Sequence, residues 1–148
     1  MSIDTRRGRP RLARLTTVNA RLPPMNIVNV LFPVVVEDFA SYRPTADYYR
    51  RVLGLPLKGE FQHAGFTVSW LGPMVVVGAE EAAALEVARQ VNAIFIVDDL
   101  EEAWRRLQPE SEVLVAPEMV PSGGRFVVRH TKGDRRVIEY LDLRNAGG

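Results

Sequence analysis

The chain has 148 residues and a mass of 16.6 kDa, with 47% hydrophobic and 25% charged residues, the composition of one soluble globular domain. It has no cysteine, which excludes disulfides and thiol chemistry and agrees with a cytoplasmic location, and no apolar run near the roughly 20 residues of a membrane span. Its net charge of +1 is unevenly distributed along the chain. The first 24 residues contain six arginines and one aspartate, a net charge of +5, whereas the other 124 residues contain 13 basic and 17 acidic residues, a net charge of −4.

The arginine-rich segment has no periodic apolar pattern and ends at Pro23-Pro24. We therefore predict a flexible arm over residues 1–24 and a single domain over 25–148. The arm is either native or the result of a start codon assigned upstream of Met25. Its Arg7-Gly8-Arg9-Pro10 segment resembles an AT-hook core, but a solvated arm is the favoured interpretation, so no nucleic-acid partner is expected.

Two similar sets of elements follow the arm. The first module is predicted over about residues 26–78, with a strand at 26–36, a helix from Pro44 to a cap at Gly54, and strands at 57–63, 66–71 and 74–77. A helical or loosely ordered connector at 79–90 separates it from the second module at 91–143. The second module has a strand at 91–97, a helix at 100–107, and strands at 112–116, 125–130 and 136–143.

The acidic pairs Glu37-Asp38 and Asp98-Asp99 follow the opening strands at an offset of 61 residues. In module two the turn before the strand at 125–130 is assigned to Ser122-Gly123-Gly124, and the turn before the last strand to Lys132-Gly133-Asp134. The order strand, helix and three strands therefore occurs twice, which predicts an α+β fold. Each half would leave one face of its sheet uncovered, and pairing the halves would close that face over a cavity.

Three segments carry a family resemblance. They are Val36 to Phe39 with Tyr48-Tyr49-Arg50-Arg51-Val52-Leu53-Gly54-Leu55, then Asn92 to Leu100, then Gly124 to Asp134 with Val137-Ile138-Glu139-Tyr140. Together they resemble the vicinal oxygen chelate superfamily of glyoxalases, bleomycin resistance proteins and extradiol dioxygenases. The resemblance implies two tandem βαβββ modules that form a curved mixed sheet around a central cavity. It also implies a homodimer paired through strand edges.

The same resemblance implies places for a divalent metal ion on the opening and closing strands of the modules. Leu31, Val76 and Asn92 occupy three of those places, and Glu139 is the only residue of a matching ligand type. One carboxylate and a weak amide ligand do not hold zinc or iron against water. We therefore expect no metal and no other cofactor.

Strand alternation predicts which side chains face the cavity. The inward set is Asn29, Leu31, Pro33, Val35, Asn92, Ile94, Ile96, Val137, Glu139 and Leu141. The set predicted to pack beneath the helices is Val30, Phe32, Val34, Ala93 and Phe95.

The candidate ligand-binding residues are Leu31, Phe61, His63, Trp70, Asn92, Arg125 and Glu139. Phe61 and Trp70 are candidates for stacking on a flat ligand. For both His63 and His130 an exposed loop or turn residue is the favoured interpretation and a ligand or general base is the alternative; the resemblance places His63 near the cavity mouth. Glu139 either pairs with Arg125 or Arg129 as a structural carboxylate, or anchors a ligand that carries a cation or a hydrogen-bond donor.

These observations favour a metal-free protein that binds or sequesters a hydrophobic or aromatic small molecule, as the bleomycin resistance branch does. The alternative is a metal-dependent enzyme of the glyoxalase or dioxygenase type with a divergent ligand set centred on Glu139, with Asn92 and His63. A third hypothesis is a DNA-associated protein in which the arm supplies affinity and the domain senses a ligand.

Overall fold

The computed structural model describes residues 25–145, so the predicted arm and its Arg7-Gly8-Arg9-Pro10 segment lie outside the described residues. Module one contains β1 (Ile27–Val35), a 3-10 turn (Phe39–Ser41), α1 (Tyr42–Asp47) continued by a π-helical turn (Tyr48–Val52), β2 (Leu57–His63), β3 (Phe66–Leu71) and β4 (Met74–Ala79). The connector contains a 3-10 turn (Ala82–Ala84) and α2 (Leu85–Gln90). Module two contains β5 (Ala93–Val97), α3 (Leu100–Leu107), a 3-10 turn (Gln108–Glu110), β6 (Ser111–Val120), β7 (Gly123–His130), β8 (Val137–Asp142) and a last 3-10 turn (Leu143–Asn145). Within residues 25–145, no helix has the length and apolar character needed to cross a membrane.

All eight strands form one mixed sheet in the order β2-β3-β4-β1-β5-β8-β7-β6. The opening strand of each module pairs in parallel with its closing strand, β1 with β4 and β5 with β8. At the centre β1 and β5 are antiparallel, with Leu31 opposite Ile94. From the centre of the sheet to either edge, each module therefore places its strands in the same order: first, fourth, third and second. This confirms the predicted α+β fold of two tandem βαβββ modules in a curved mixed sheet.

The repeat is also visible in the helix caps. The Asp38 side chain accepts a hydrogen bond from the Ser41 amide at 2.9 Å, and the Asp99 side chain accepts one from the Glu102 amide at 3.1 Å. An aspartate in extended backbone that binds an amide of the first turn is a favourable helix start. The two capping aspartates are separated by the 61 positions that the sequence repeat predicts.

Each module buries its helix against the outer face of its own half of the sheet. On module one, Tyr42 and Ala46 of α1 pack against Val76. On module two, Ala103 of α3 packs against Phe126, and both side chains are fully buried. Burial of a phenylalanine of this kind contributes about 1.5–3 kcal/mol.

The first helix differs from its prediction at both ends. It begins at Tyr42 and not at Pro44, because a proline in the first turn sacrifices no intrahelical hydrogen bond. At its end the π-helical turn changes the direction of the side chains. The helical spacing of Val52 and Leu53 from Ala46 and Tyr49 predicts a shared apolar face, yet Val52 and Leu53 are 66% and 52% exposed.

The middle of β1 is also more exposed than predicted. Val34 and Phe95 pack under the helices as expected. Val30 and Phe32 do not, since they are 38% and 56% exposed. The reason is that α1 covers the end of β1 beyond Val34 whereas α3 covers β5, β7 and β8, so a strip of β1 between the helices has no cover.

The turn between β6 and β7 is one step earlier than predicted. Pro121 and Ser122 form it, and both Gly123 and Gly124 belong to β7. Gly123 has φ +137°, and a Cβ atom there would lie 2.0 Å from the backbone oxygen of Asp142. Only glycine fits this approach of two backbones.

We expect Gly123→Ala to lower the free energy of unfolding by about 2–4 kcal/mol, because it combines an unfavourable backbone conformation with a clash against backbone. Urea unfolding measures this change. Gly59→Ala is the matched control in a strand, since a Cβ at Gly59 meets nothing within 4 Å, and it should change stability by less than about 0.5 kcal/mol. Equal effects of the two substitutions would contradict the close approach at Gly123.

Candidate functional site

A cavity of about 420 Å³ lies on the inner face of the sheet, between the two modules. Its floor is the central strands, where Leu31 and Ile94 are 1% and 4% exposed. Most of its lining is aliphatic or aromatic, and Glu139 and Arg125 are its charged side chains among the described residues. An apolar concave surface with few convergent polar groups is typical of a small-molecule site.

The connector forms one wall of this cavity, which the sequence analysis missed. Four connector side chains line it: Ala83, Ala84, Val87 and Ala88. The sequence contains a pattern that indicates an apolar helix face in the connector. Small or apolar residues recur there at helical spacing, at Ala84, Val87, Ala88 and Val91. Arg89 fixes the helix to module one by donating a hydrogen bond to the backbone oxygen of Glu37 at 2.9 Å.

The two charged side chains of the cavity, Arg125 and Glu139, belong to a chain of ion pairs that ends at Glu118, which is outside the lining. Arg125 of β7 donates from Nη1 to Oε1 of Glu139 on β8 at 2.8 Å. It also donates from Nε to Glu118 of β6 at 2.9 Å. Of the two pairings considered for Glu139, the one with Arg125 is therefore correct. Arg129 pairs instead with Glu112 at 2.8 Å.

Burial dominates the protonation equilibrium of Glu139. The side chain is 14% exposed. Loss of water around the carboxylate raises the pKa of Glu139 above its ordinary value, although the charge and hydrogen bond of Arg125 act to lower it. The ionised form is thus less favourable in the folded protein than in water, even with its arginine in place.

Six of the seven candidate binding residues line the cavity: Leu31, Phe61, His63, Trp70, Arg125 and Glu139. Asn92 is the exception. It precedes β5 and is exposed. Its backbone amide donates to the backbone oxygen of Val137 at 2.8 Å, and its Oδ1 accepts a hydrogen bond from the Val137 amide at 3.0 Å. Asn29, also predicted to face inward, is exposed at a register shift and its Oδ1 accepts a bond from the Val30 amide.

Of the four places expected for metal ligands, only that of Glu139 puts a possible ligand atom in the cavity. Val76 is on the opposite face of β4 and packs under α1, so Val75 and Val77 are the residues of that strand that face the cavity. Glu139 and His63 are the only lining side chains of a metal-binding type within the described chain. No three histidine, aspartate or glutamate side chains of residues 25–145 come together as a metal site would require. The residues present do not fit a resident metal ion.

The aromatic candidates lie on one wall, on β2 and β3. Trp70 donates from its ring nitrogen to the backbone oxygen of Gly72 at 2.9 Å, and Lys58 lies over its ring at 5.8 Å from the centroid. Phe61 is on the paired strand, opposite Val68. A tryptophan held by its own hydrogen bond presents a rigid apolar surface to the cavity.

The two histidines have different surroundings. His63 lines the cavity and also a second hollow of about 520 Å³, which shares Phe66 and Ala84 with it. The second hollow therefore adjoins the first on the side of His63. His130 is not an exposed turn residue as predicted, because it ends β7, is half-buried, and its Nε2 lies 2.8 Å from the Tyr140 hydroxyl. Burial raises the pKa of Tyr140 to about 12.

The raised pKa of Glu139 predicts a pH-dependent cost to stability. The folded state holds this proton more tightly than the unfolded chain, so the contribution of Glu139 to stability is greatest below its ordinary pKa of 4.5 and is lost as pH rises through the raised value. Glu139→Gln removes the ionisation. The difference in unfolding free energy between variant and wild type should shift in favour of the variant as pH rises from 4.5 through the raised pKa.

Urea titrations at several pH values measure this difference. Glu112→Gln removes a comparable glutamate–arginine pair whose glutamate is 49% exposed, and it should not reproduce the trend. A constant difference between Glu139→Gln and wild type over this pH range would contradict the effect of burial.

No protein-family model matches the sequence, and no curated protein matches it. Among solved structures, the chain is similar to an uncharacterized protein from Methanosarcina mazei, at 28% identity over 80% of this chain and 94% of that one, with a TM-score of 0.66. It is also similar to methylmalonyl-CoA epimerase from Mycobacterium tuberculosis, at 14% identity over 82% and 91% of the two chains, with a TM-score of 0.63. With its paired βαβββ modules around one cavity, the chain has the fold of the glyoxalase, bleomycin resistance and dioxygenase group, the vicinal oxygen chelate superfamily.

Proposed function

We infer that the protein is a metal-free small-molecule-binding protein that takes a hydrophobic or aromatic ligand in the cavity between its modules. The observation that carries this proposal is the cavity itself, whose volume of about 420 Å³ suits a ligand of moderate size. Its lining offers apolar contact on all sides, from the central strands, the aromatic wall and α2. Transfer of apolar ligand surface from water into such a site supplies the main driving force.

The lining favours binding over metal-dependent catalysis. A glyoxalase- or dioxygenase-like reaction needs several donor atoms around one ion, and here Glu139 would have to act with His63 from the other module. The described residues also place no hydroxyl or amine nucleophile beside a base in the cavity, where Ser122 is the only hydroxyl side chain of the lining. The proposal therefore assigns the cavity to binding or sequestration.

A neutral aromatic probe tests this proposal. N-phenylnaphthylamine should bind saturably to the full chain after dialysis against a chelator, with increased fluorescence because the probe leaves water. Ala88→Trp places an indole into the cavity from α2 and should weaken binding by about tenfold or more. Ala82→Trp is the matched control on the connector, since Ala82 is exposed and is not part of the lining, and it should bind like wild type.

Two results would overturn the proposal. One is the absence of saturable binding in wild type. The other is equal loss of binding in Ala88→Trp and Ala82→Trp. Restoration of binding or of a turnover activity by added Mn²⁺, Ni²⁺ or Zn²⁺ would favour the metal-dependent alternative.

The homodimer implied by the resemblance stays a prediction. The structure offers an apolar surface for it that differs from the expected strand edges, namely the uncovered strip of β1 formed by Val28, Val30 and Phe32. Val30 and Phe32 are 38% and 56% exposed and lie on either side of Leu31, which lines the cavity, so they are on the opposite face of β1. Val28 is 55% exposed. A second copy packed on this strip would bury these side chains and leave both cavities open.

Sedimentation velocity over a range of protein concentrations tests this surface. We expect a dimer in wild type, and Phe32→Glu should raise its dissociation constant by about tenfold or more, because a charge would be buried at the interface. Met119→Glu, at a side chain that is 58% exposed on the edge strand β6, tests the strand-edge alternative. A monomeric wild type would contradict both surfaces.

A further inference from the structure

Glu139 presents one free oxygen to the cavity. Its Oε1 accepts the hydrogen bond from Arg125, and no group within residues 25–145 donates to its Oε2. Oε2 is not one of the enclosed, unpaired side-chain atoms of this part of the chain, so it is open to the cavity that Glu139 lines. The neighbours of Glu139 across the strands are Ile94 and Val127, whose side chains are apolar. An acceptor in such surroundings is satisfied only by a water molecule or by a donor on a ligand.

Arg125 is not available to bind an anionic ligand, because its guanidinium group is occupied by two glutamates. Its Nη1 is used by Glu139, and its Nε and Nη2 both lie within 2.9 Å of Oε1 of Glu118. One guanidinium thus faces two carboxylates, so the three side chains carry an excess negative charge when both acids are ionised. At this place the cavity favours a positive charge and disfavours a second negative one.

The adjoining hollow has the same sign of charge. Its lining includes Glu80 and Glu81, both exposed, and no lysine or arginine within the described chain. The two hollows share His63, Phe66 and Ala84, so a ligand that enters on this side passes two acidic residues before it reaches the apolar floor. Charges around a cleft raise the local concentration of ligands of opposite charge.

We propose that the cavity selects amines bound as their cations, with an aromatic or aliphatic body among the apolar lining residues and the ammonium group donating to Oε2 of Glu139. This inference rests on the proposed binding function and specifies its ligand class. Trp70 and Leu31 supply apolar contact for the body of the ligand, and Glu139 supplies the charge that distinguishes a cation from an isosteric neutral or anionic molecule.

The selectivity is linked to pH. A bound cation favours the ionised carboxylate, whereas burial raises the pKa of Glu139 in the free protein. Binding therefore displaces a proton, and affinity for a cation falls as pH decreases through the raised pKa. The charged groups nearest Glu139 are Arg125 of the neighbouring strand β7 and, beyond it, Glu118 of the edge strand β6, which pairs with the same arginine, and His63 lines the same cavity from β2.

Three naphthalene probes of similar size and different charge test the proposal on the full chain at neutral pH. They are naphthylethylammonium, naphthylethanol and naphthylacetate, with affinities from isothermal titration. The cation should bind at least about tenfold more tightly than the anion, with the alcohol between them. Glu139→Gln, which keeps the shape of the side chain, should reduce the preference for the cation over the alcohol to less than about twofold.

Glu112→Gln is the control, because Glu112 forms a similar cross-strand pair with Arg129 and is not part of the lining. It should retain the wild-type preference. The comparison of the three probes on wild type decides the question even where Glu139→Gln fails to fold.

Each outcome separates this inference from the proposed function. Equal affinity for the three probes, or preference for naphthylacetate, overturns cation selection and leaves the binding function in place. Retention of the full preference in folded Glu139→Gln also overturns the role of Glu139. Absence of binding by all three probes overturns both proposals.

Discussion

The antiparallel pairing of β1 with β5 is the contact on which the rest of the structure depends. Leu31 and Ile94 lie opposite each other in this pairing, and both point into the cavity with almost no exposure. Each module alone would leave the inner face of a four-stranded sheet in water. Joined at this seam, the two inner faces become the walls of one cavity, and the outer faces remain available for α1 and α3.

The cavity combines an apolar lining with an ionisable carboxyl group, and the first makes ionisation of the second less favourable. Apolar lining favours a neutral interior, whereas Glu139 keeps an ionisable carboxyl at its floor with only one of its two oxygens engaged. Replacement of buried ion pairs by apolar residues is often neutral or stabilising, so a buried acid of this kind contributes little to the stability of the fold. A local departure from the apolar pattern, at a position that faces a cavity, is the expected mark of a binding site.

Much of this site could be predicted because strand alternation is a local property. Glu139, Leu31 and Pro33 face the cavity as the period of two requires. The prediction was wrong where a strand departs from regular pairing: Asn29 lies at a register shift, and Asn92 lies before its strand begins. Register shifts and strand ends depend on the partner strand, which an alternation pattern cannot represent.

The sequence by itself determined the two modules, the 61-residue spacing of their acidic pairs and the parity of most strand positions, since each of these is visible in a local pattern. Only the tertiary structure decided that α2 becomes a wall of the cavity, that Arg125 and not Arg129 pairs with Glu139, and that Phe32 remains exposed. These features depend on how far each helix extends over the sheet and on which strands become neighbours. Both are set by packing between segments that are distant in the chain, and no local pattern records them.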